Sequence, residues 1–263
     1  MIGAIIGDIV GSQYEFWGIK TKDFELFTKK NNYTDDTVLT LAIGKAMLDC
    51  NGNYLDLDQK VINYMREFGQ KYPDAGYGDM FYRWIFYRPE PYNSLGNGSA
   101  MRISAVPYFA KDFDELKWLV ETVTKPTHNH EEGIKGAMAT ATAIWLALHK
   151  KNKEEIKDYI ETLYYSLDFD YDDLVKNYSF NMTCQGSVPQ SIYAFLISNS
   201  YEDAIRTAIS MGGDTDTMGA ITGSIAAAYY GVPEELKKEA YKYLDETQLK
   251  ILYDFENYIK RKG

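Results

Sequence analysis

Two short clusters of aspartate and threonine, far apart in the chain, are the residues whose types and spacing could do chemistry. The first cluster is the run TDDT at residues 34–37, and the second cluster is the run GGDTDT at residues 212–217. Each stands before an apolar stretch with helical spacing, where a threonine or aspartate can cap a helix by accepting a free backbone N–H. Capping accounts for one residue in each cluster. It does not account for carboxylates at both 35 and 36, or at both 214 and 216.

Crowded carboxylates repel one another, so they persist only where positive charge lies among them. Neither cluster contains a lysine or an arginine, which makes a divalent cation the natural partner. Carboxylate and hydroxyl oxygens suit Mg²⁺, Mn²⁺ or Ca²⁺ better than zinc, which prefers cysteine and histidine. Four aspartates with two or three threonines are enough to hold two such ions and to leave positions for water and substrate. From spacing alone, metal binding and helix capping are both open interpretations.

A loop with the sequence SLGNGS, at residues 94–99, is a candidate anion site. Glycines on both sides of Asn97 offer several backbone N–H groups to one anion, which is how phosphates are held without much basic charge. The run THNHEE at residues 127–132 contains two of the three histidines of the chain. Its spacing favours a hydrogen-bonding histidine over a metal ligand. An ordinary loop with a capped helix is the alternative for both segments.

Glu15 is a further acidic candidate, close to the N-terminus. It follows the glycine-rich run GDIVGS at residues 7–12, and we expect it to end the helix that these glycines line. Because surface glutamates are common, a solvated carboxylate is the favoured interpretation when Glu15 is considered alone.

Helices must position these groups, since apolar residues recur every three or four positions along most of the chain. The predicted helices cover residues 38–48, 55–70, 112–124, 133–150, 154–166, 187–198, 201–210, 216–231 and, as one helix or two, 234–260. Alternating strand patterns are scarce, and no linker or low-complexity tract divides the chain. We therefore expect an all-α fold in a single domain, residues 1–263.

Three of these helices are predicted to be central, because small residues line them. Glycines recur every four residues at 3, 7 and 11, and again at 219 and 223, while glycine and alanine crowd residues 136–143. Glycine inside a helix costs up to about 1 kcal/mol relative to alanine. Close approach of helix backbones would compensate for this cost, so packing is the favoured role of these glycines.

Composition excludes several classes of protein. With 28 basic and 38 acidic residues the net charge is −10, which argues against a general nucleic-acid binder with a broad basic surface. Cys50 and Cys184 are the only cysteines, too few for a disulfide scaffold or a cysteine-rich zinc site, and a cytosolic location is expected. The first residues lack the basic segment of a signal peptide. The apolar stretch 218–232 has 15 residues, against the ~20 that span a bilayer, so no membrane anchor is expected.

Five blocks, taken together, resemble the ADP-ribosylglycohydrolase family, which includes the dinitrogenase reductase-activating glycohydrolase and the ADP-ribosyl-acceptor hydrolases. They occur in the family's order between residue 3 and about residue 232, so the resemblance covers most of the chain. The blocks are Gly7-Asp8…Gly11-Ser12…Glu15, Tyr33-Thr34-Asp35-Asp36-Thr37, Gly96-Asn97-Gly98-Ser99-Ala100-Met101-Arg102, Thr127-His128 and Gly212-Gly213-Asp214-Thr215-Asp216-Thr217.

The resemblance implies a single compact, orthogonal helical domain with a binuclear Mg²⁺ centre, or Mn²⁺ in its place, at the floor of a cleft that binds ADP-ribose. The metal ligands implied by position are Thr34, Asp35, Asp36, Asp214, Asp216 and Thr217. The implied catalytic residues are Glu15, Asp36 and Asp216. The residues implied to hold the pyrophosphate side are Ser94, Gly96, Asn97, Gly98, Ser99 and His128.

Two further positions bear on ligand contact. Gly78 matches a ligand-contacting glycine of the family less closely. Related sequences often carry an aromatic residue before Gly-Asn-Gly, where it can stack on adenine, whereas this chain has Leu95. The resemblance therefore leaves adenine stacking to another side chain, such as Tyr92.

The reaction implied by the resemblance is Mg²⁺-dependent hydrolysis of the glycosidic bond between ADP-ribose and an acceptor, with release of ADP-ribose. Divalent ions would fix the ribose hydroxyls and lower the pKa of a bound water, and Glu15 or a ligand aspartate would orient that water or take its proton. We expect a monomer that acts on an ADP-ribosylated protein or small molecule. The acidic charge disfavours a nucleic-acid acceptor without excluding it.

Two other functional classes are open at this point. A catalytically silent ADP-ribose-binding or immunity module would have lost a metal ligand or Glu15, and all of them are present. An all-α nucleotide pyrophosphohydrolase would normally carry the pattern Glu-Glu-x-x-Glu. Here Glu131 and Glu132 are followed by Lys135 at the position of the third glutamate, which disfavours that class.

Overall fold

The computed structural model describes residues 1–262, and α-helices make up most of that part of the chain. Across these residues there is no strand, and one isolated β-bridge joins Gly96 to Thr183. The all-α prediction is therefore confirmed. The helices are α1 (Ile2–Ser12), α2 (Asp35–Cys50), α3 (Leu57–Lys71), α4 (Asp79–Phe86), α5 (Gly98–Met101), α6 (Phe113–Thr124), α7 (Glu131–Leu148), α8 (Lys153–Leu163), α9 (Tyr171–Asn177), α10 (Cys184–Ile197), α11 (Tyr201–Ser210), α12 (Thr215–Tyr230), α13 (Glu234–Tyr241) and α14 (Glu246–Lys262), with a 3₁₀ turn at Ile103–Tyr108.

Most predicted helices are present, with their ends shifted by a few residues. The first and second clusters stand at the starts of α2 and α12, as the apolar patterns predicted. The predicted segment 234–260 forms two helices, α13 and α14. The short helices α4 and α9 lie outside the predicted segments, because eight and seven residues are too few to show a clear period.

The glycines of α1 and α12 bring the two helix backbones into direct contact. A Cβ built on Gly7 would lie 1.9 Å from the carbonyl oxygen of Gly219, and one built on Gly3 would lie 2.4 Å from that of Gly223. No side chain fits at these positions, which confirms the packing role predicted for the glycines. The crossing also brings the C-terminal end of α1 beside the start of α12, because a Cβ on Gly11 would lie 2.2 Å from the carbonyl oxygen of Thr215.

The crossing helices lie in the core of the molecule. Ile5, Ile6 and Ile9 of α1 are almost completely buried, and α12 is buried from Thr215 to Ala226. The alanine-rich α7 packs closely on α10, where a Cβ on Gly136 would meet the Cys184 sulfur at 2.3 Å. In the part of the chain that the structure describes, no helix combines the length and apolar character needed to cross a membrane.

Candidate active site

A cavity of about 570 Å³ opens between the starts of α2 and α12, the loop before α5 and the turn after α1. Both clusters reach it, although nearly 180 residues separate them in the chain. The residues from the two clusters that line it are Thr34, Asp35, Asp36, Asp214, Asp216 and Thr217. The fold therefore brings together all six residues that the resemblance implied as metal ligands.

The first cluster is held at the N-terminus of α2. Thr34 is the N-cap, and its hydroxyl oxygen accepts the backbone N–H of Asp36 at 3.3 Å. The Asp36 carboxylate is buried, and its Oδ2 accepts a hydrogen bond from the Thr217 hydroxyl at 3.1 Å and lies 3.4 Å from the Thr34 hydroxyl oxygen. Thr217 thus joins the two clusters directly. Oδ1 of Asp36 is buried without a hydrogen-bond partner among the described residues.

Asp8 of α1 fastens the first cluster in place. Its fully buried carboxylate accepts the backbone N–H and the hydroxyl of Thr34, at 2.9 and 2.8 Å, and the same two groups of Thr37, at 3.0 and 2.5 Å. Sequence reasoning quoted Asp8 within a motif and gave it no role. The available signal was an acidic residue on a helix whose other members, apart from Ser12 at its end, are apolar or glycine.

The second cluster begins with two glycines that the backbone requires. Gly212 and Gly213 have φ of 72° and 83°, a left-handed conformation that residues with a Cβ rarely adopt. The turn delivers Asp214 to the N-cap position of α12, yet the Asp214 side chain makes no capping hydrogen bond. Instead its Oδ2 accepts a hydrogen bond from Asn97 Nδ2 at 2.7 Å. Capping therefore does not explain Asp214.

Glu15 joins the second cluster from the turn after α1. One ligand atom from each of Glu15, Asp214 and Asp216 lies within 4.8 Å of the other two. The expectation that Glu15 ends the helix is wrong, because α1 ends at Ser12 and Glu15 lies in the turn that follows. The solvated-carboxylate interpretation is also wrong, since Glu15 is half-buried and lines the cavity.

Protein cations do not neutralise the acidic group, which consists of the carboxylates Asp8, Glu15, Asp35, Asp36, Asp214 and Asp216. Burial, followed by the charges of nearby carboxylates, raises the pKa values of Asp8 and Glu15 to about 7. The same causes raise the pKa values of Asp35, Asp36 and Asp214 well above the usual range for aspartate. Across residues 1–262, none of these carboxylates forms a salt bridge with lysine or arginine.

The donor set of the cavity fits a hard divalent cation. It offers carboxylate and threonine hydroxyl oxygens, which Mg²⁺, Mn²⁺ and Ca²⁺ prefer. Oδ1 of Asp36, buried without a partner, is the kind of atom that a cation would satisfy. The acidic group could therefore bind metal ions, because a cation would relieve both the repulsion and the unsatisfied oxygen.

On another wall of the cavity, His128 lies against the glycine loop that was predicted to bind an anion. A Cβ on Gly98 would be 3.3 Å from its Nε2, and one on Gly96 would be 3.6 Å away. Arg102 donates from Nη2 to the Thr127 hydroxyl oxygen at 2.5 Å, and that hydroxyl lies 2.7 Å from Nδ1 of His128. Burial, followed by the Arg102 charge, lowers the pKa of His128 well below its usual value.

This chain of contacts fixes the tautomer of His128. The guanidinium of Arg102 can only donate, so Thr127 accepts from it and turns its own O–H toward Nδ1 of the neutral imidazole. The ring proton is then on Nε2, the nitrogen that faces the glycine loop and the cavity. Arg102 and Thr127 were not assigned roles from the sequence.

Not every residue of the predicted anion site lines the cavity. Ser94, Gly96, Asn97, Gly98 and His128 do so. The Ser99 side chain is instead buried, where its hydroxyl donates to the carbonyl oxygen of Gly133 at 2.7 Å. The Asn97 amide is directed at Asp214, so its side chain serves the acidic group.

Of the three residues considered above for contact with the ligand, two line the cavity and one does not. Tyr92 lines the cavity, with its ring centroid 6.0 Å from that of His128. Gly78 also lines it, whereas Leu95 is absent from its walls. Tyr92 is therefore available for stacking on a base.

The fold and cavity define a class of protein, an all-α protein whose cavity gathers carboxylate and hydroxyl oxygens from both halves of the chain. A family model described as ADP-ribosylglycohydrolase matches residues 1–259. The chain therefore belongs to the ADP-ribosylglycohydrolase family, and it is an enzyme that hydrolyses glycosidic bonds.

Named relatives agree with this assignment. The chain is 26% identical to ADP-ribosylhydrolase ARH3 of Mus musculus, with 89% of this chain and 83% of that protein aligned. It is 23% identical to ADP-ribosyl-[dinitrogen reductase] glycohydrolase of Rhodospirillum rubrum, over 89% and 85% of the two chains. A solved structure titled ADP-ribosylglycohydrolase-related protein complex shares the fold with a TM-score of 0.64 at 19% identity, covering 97% of this chain and 93% of that one.

Proposed function

We propose that this protein hydrolyses the glycosidic bond between ADP-ribose and an acceptor and releases ADP-ribose, with two Mg²⁺ ions, or Mn²⁺, held by its acidic group. The observation that carries the proposal is the convergence of Glu15 and both clusters on one cavity. The proposal treats residues 1–263 as one domain. The proposed metal ligands are Thr34, Asp35, Asp36, Asp214, Asp216 and Thr217.

Cleavage at the anomeric carbon builds positive character on the ribose. Carboxylates at the cavity floor stabilise that positive charge. Those of Glu15, Asp214 and Asp216 lie close together, so their negative charge is concentrated in one place. When bound, divalent ions would contribute Lewis-acid polarisation of oxygen atoms and a lower pKa for water. Glu15, half-buried at the cavity, is placed to accept the proton of the attacking water.

The rest of the ligand is held by the opposite wall. In the glycine loop at residues 96–98, the N–H of Gly96 donates to Ser94 Oγ and that of Asn97 to the carbonyl oxygen of Met182. The N–H of Gly98 and the Nε2–H of His128 donate to the pyrophosphate. Because His128 is neutral, it binds the anion as a hydrogen-bond donor, and the nearest full positive charge is the buried guanidinium of Arg102. Tyr92 takes the adenine.

The acceptor is an ADP-ribosylated protein or small molecule. The relatives include proteins named for ADP-ribosylarginine and for ADP-ribosylated dinitrogen reductase, so a protein side chain is the first acceptor to test here. The net charge of −10 disfavours a nucleic-acid acceptor. The proposal also places the enzyme in the cytosol as a monomer, in keeping with two free, buried cysteines.

Release of ADP-ribose from defined acceptors tests the proposal. The full chain is incubated with ADP-ribosylated arginine, serine and O-acetyl-ADP-ribose, in Mg²⁺ and in chelator, and free ADP-ribose is measured. We expect release that needs the metal and that Asp36→Asn and Asp216→Asn abolish. Asp254→Asn, an exposed site on α14, is the matched control and should retain activity.

Two results would contradict the proposal. Full activity of Asp36→Asn or Asp216→Asn in chelator would remove the metal role. Tight binding of ADP-ribose with no turnover on any acceptor would instead identify a silent ADP-ribose-binding module.

A further inference from the structure

A second cavity, of about 450 Å³, adjoins the first one. Met80 and Tyr92 line both cavities, so the two cavities share part of their walls. The second cavity lies along α4 and the segment that follows it. Its other lining residues are Arg83, Trp84, Tyr87, Arg88, Glu90 and Pro91.

Two arginines give this cavity its charge. Arg83 and Arg88 are exposed, and neither guanidinium has a hydrogen-bond or salt-bridge partner within residues 1–262, Glu90 included. Many other cations of this acidic chain are paired, for example Lys22 with Asp203 and Arg206 with Glu202. A guanidinium presents a planar set of donors that matches phosphate oxygens.

Trp84 adds an unsatisfied donor to the same wall. It lines the second cavity and is only 1% exposed, and its indole Nε1–H is buried with no hydrogen-bond partner among the described residues. Buried N–H groups are nearly always paired. An acceptor atom from a ligand would satisfy this one.

The orientation of the ligand is inferred from the way it is proposed to bind in the first cavity, so it rests on the proposed function. With the reacting ribose at the acidic group and the pyrophosphate at His128, the adenosine lies toward Tyr92, 6.0 Å from His128 between ring centroids. Tyr92 is also where the second cavity begins. A group attached to the adenosine then lies on the side of the second cavity and its two arginines.

We propose that the second cavity is an anion subsite that binds a phosphate carried on the adenosine ribose, so that the enzyme prefers phosphorylated ADP-ribose over ADP-ribose itself. Arg83 and Arg88 bind the phosphate oxygens, and the Trp84 N–H supplies a further donor. The subsite adds specificity at the end of the ligand remote from the scissile bond.

Calorimetric titration of the full chain in Mg²⁺ tests the subsite, with ADP-ribose and ADP-ribose 2′-phosphate as the two ligands. We expect the phosphorylated ligand to bind at least about tenfold more tightly, because charge-assisted bonds to two arginines are gained. The double variant Arg83→Gln/Arg88→Gln should lose this preference and keep its affinity for ADP-ribose. Lys242→Gln/Lys250→Gln, which removes the same charge at exposed sites just after α13 and on α14, should keep the preference.

One further variant and two further ligands test the subsite. Trp84→Phe keeps the ring and removes the N–H, so it should lose part of the preference. Adenosine 2′,5′- and 3′,5′-bisphosphate, each compared with AMP, show which ribose hydroxyl carries the phosphate, and tighter binding of either supports the subsite.

Equal affinity for ADP-ribose and its 2′-phosphate, with neither bisphosphate favoured over AMP, would overturn the subsite. So would a preference that survives in the double arginine variant. Failure to bind ADP-ribose at all is a different result, since it would overturn the proposed function first and the subsite with it.

Discussion

The carboxylate of Asp8, buried in α1, accepts two hydrogen bonds from Thr37 at the start of α2, one from its backbone N–H and one from its hydroxyl. Two matching bonds come from Thr34. The first cluster is therefore positioned by a residue that belongs to neither cluster. Asp8 lies one residue from Gly7, where α1 meets α12, so a single helix controls the placement of both halves of the acidic group.

Asp8→Asn should weaken the metal site while preserving the fold. Three of the four hydrogen bonds end on Oδ2 and one, from the Thr34 hydroxyl, ends on Oδ1, so an amide oxygen can keep at most three of them. Loss of such supporting bonds typically lowers metal affinity or activity about 10- to 100-fold. Mg²⁺ titration and ADP-ribose release would measure this, with Asp254→Asn as the control. Unchanged Mg²⁺ affinity in Asp8→Asn would show that the clusters are positioned by other contacts.

Asp216→Asn should have opposite effects on stability with and without metal. In chelator the free energy of unfolding should rise by about 1–3 kcal/mol, because one of several crowded charges is removed from a buried site. In saturating Mg²⁺ the wild type should gain about 2.7 kcal/mol at one hundred times its dissociation constant, and the variant should gain far less. Thermal and denaturant unfolding in both buffers measure these differences. A variant that is less stable than wild type in chelator would contradict the idea of unrelieved repulsion.

Gly7→Ala should destabilise the protein severely. Its Cβ would lie 1.9 Å from the carbonyl oxygen of Gly219, and backbone atoms cannot move aside as a flexible side chain can. We expect a loss of about 3 kcal/mol or more in the free energy of unfolding. Gly78→Ala is the matched control, because φ is −63° and nothing lies within 4 Å of the added Cβ. It should change stability by less than about 0.5 kcal/mol. Equal stability of the two variants would argue against direct backbone contact.

Thr127→Val should disturb His128 without changing the size of the side chain. The substitution removes the hydroxyl between Arg102 and Nδ1, so the ring loses the contact that holds its proton on Nε2. We expect about a tenfold loss in ADP-ribose affinity, in line with removal of one hydrogen-bond relay. Nitrogen-15 spectra of the imidazole would report the tautomer. Thr124→Val is the control, because the buried Thr124 hydroxyl has no partner among the described residues.

Asp203→Asn should reduce stability in a pH-dependent manner. Burial raises the pKa of Asp203, but hydrogen bonds from Lys22 and from the Asn199 N–H, with the Lys22 charge, outweigh it and hold that pKa below its usual value. A lowered folded-state pKa stabilises the fold above the unfolded value of about 3.9. The contribution is lost as the pH falls through the folded-state pKa.

The difference between wild type and Asp203→Asn should therefore be constant from neutral pH down to about pH 5 and shrink below about pH 4. It should not exceed about 1 kcal/mol, because the Lys22–Asp203 pair is partly exposed. Denaturant unfolding across this pH range provides the measurement. A difference that grows on acidification would have the wrong sign for this explanation.

The sequence carried enough information to predict the fold class and the residues of both clusters. Helical periodicity is local, and an aspartate pair before a helix can be recognised without knowing what lies opposite. The glycines at 7 and 219 predicted close packing for the same reason. Their direct contact with each other could not be predicted, because the sequence of a segment does not show which other segment packs against it.

Roles that depend on a neighbour from another part of the chain were missed. Asn97 was assigned to the phosphate-binding loop with no separate role for its side chain, and that side chain donates to Asp214, which lies 117 residues further on. Ser99 was assigned to the same anion site, and its hydroxyl is directed at Gly133. Spacing alone placed Glu15 at a helix end and in solvent, and only the family resemblance implied a catalytic role; the structure has it in the turn after α1, where it lines the cavity.

The acidic group draws four carboxylates, Asp8, Glu15, Asp35 and Asp36, from the N-terminal part of the chain and two, Asp214 and Asp216, from a much later part. During synthesis the first four leave the ribosome long before the last two exist. A nascent chain therefore has an incomplete active site and cannot act on its substrate until most of the polypeptide has emerged. Catalysis thus requires that the core be complete.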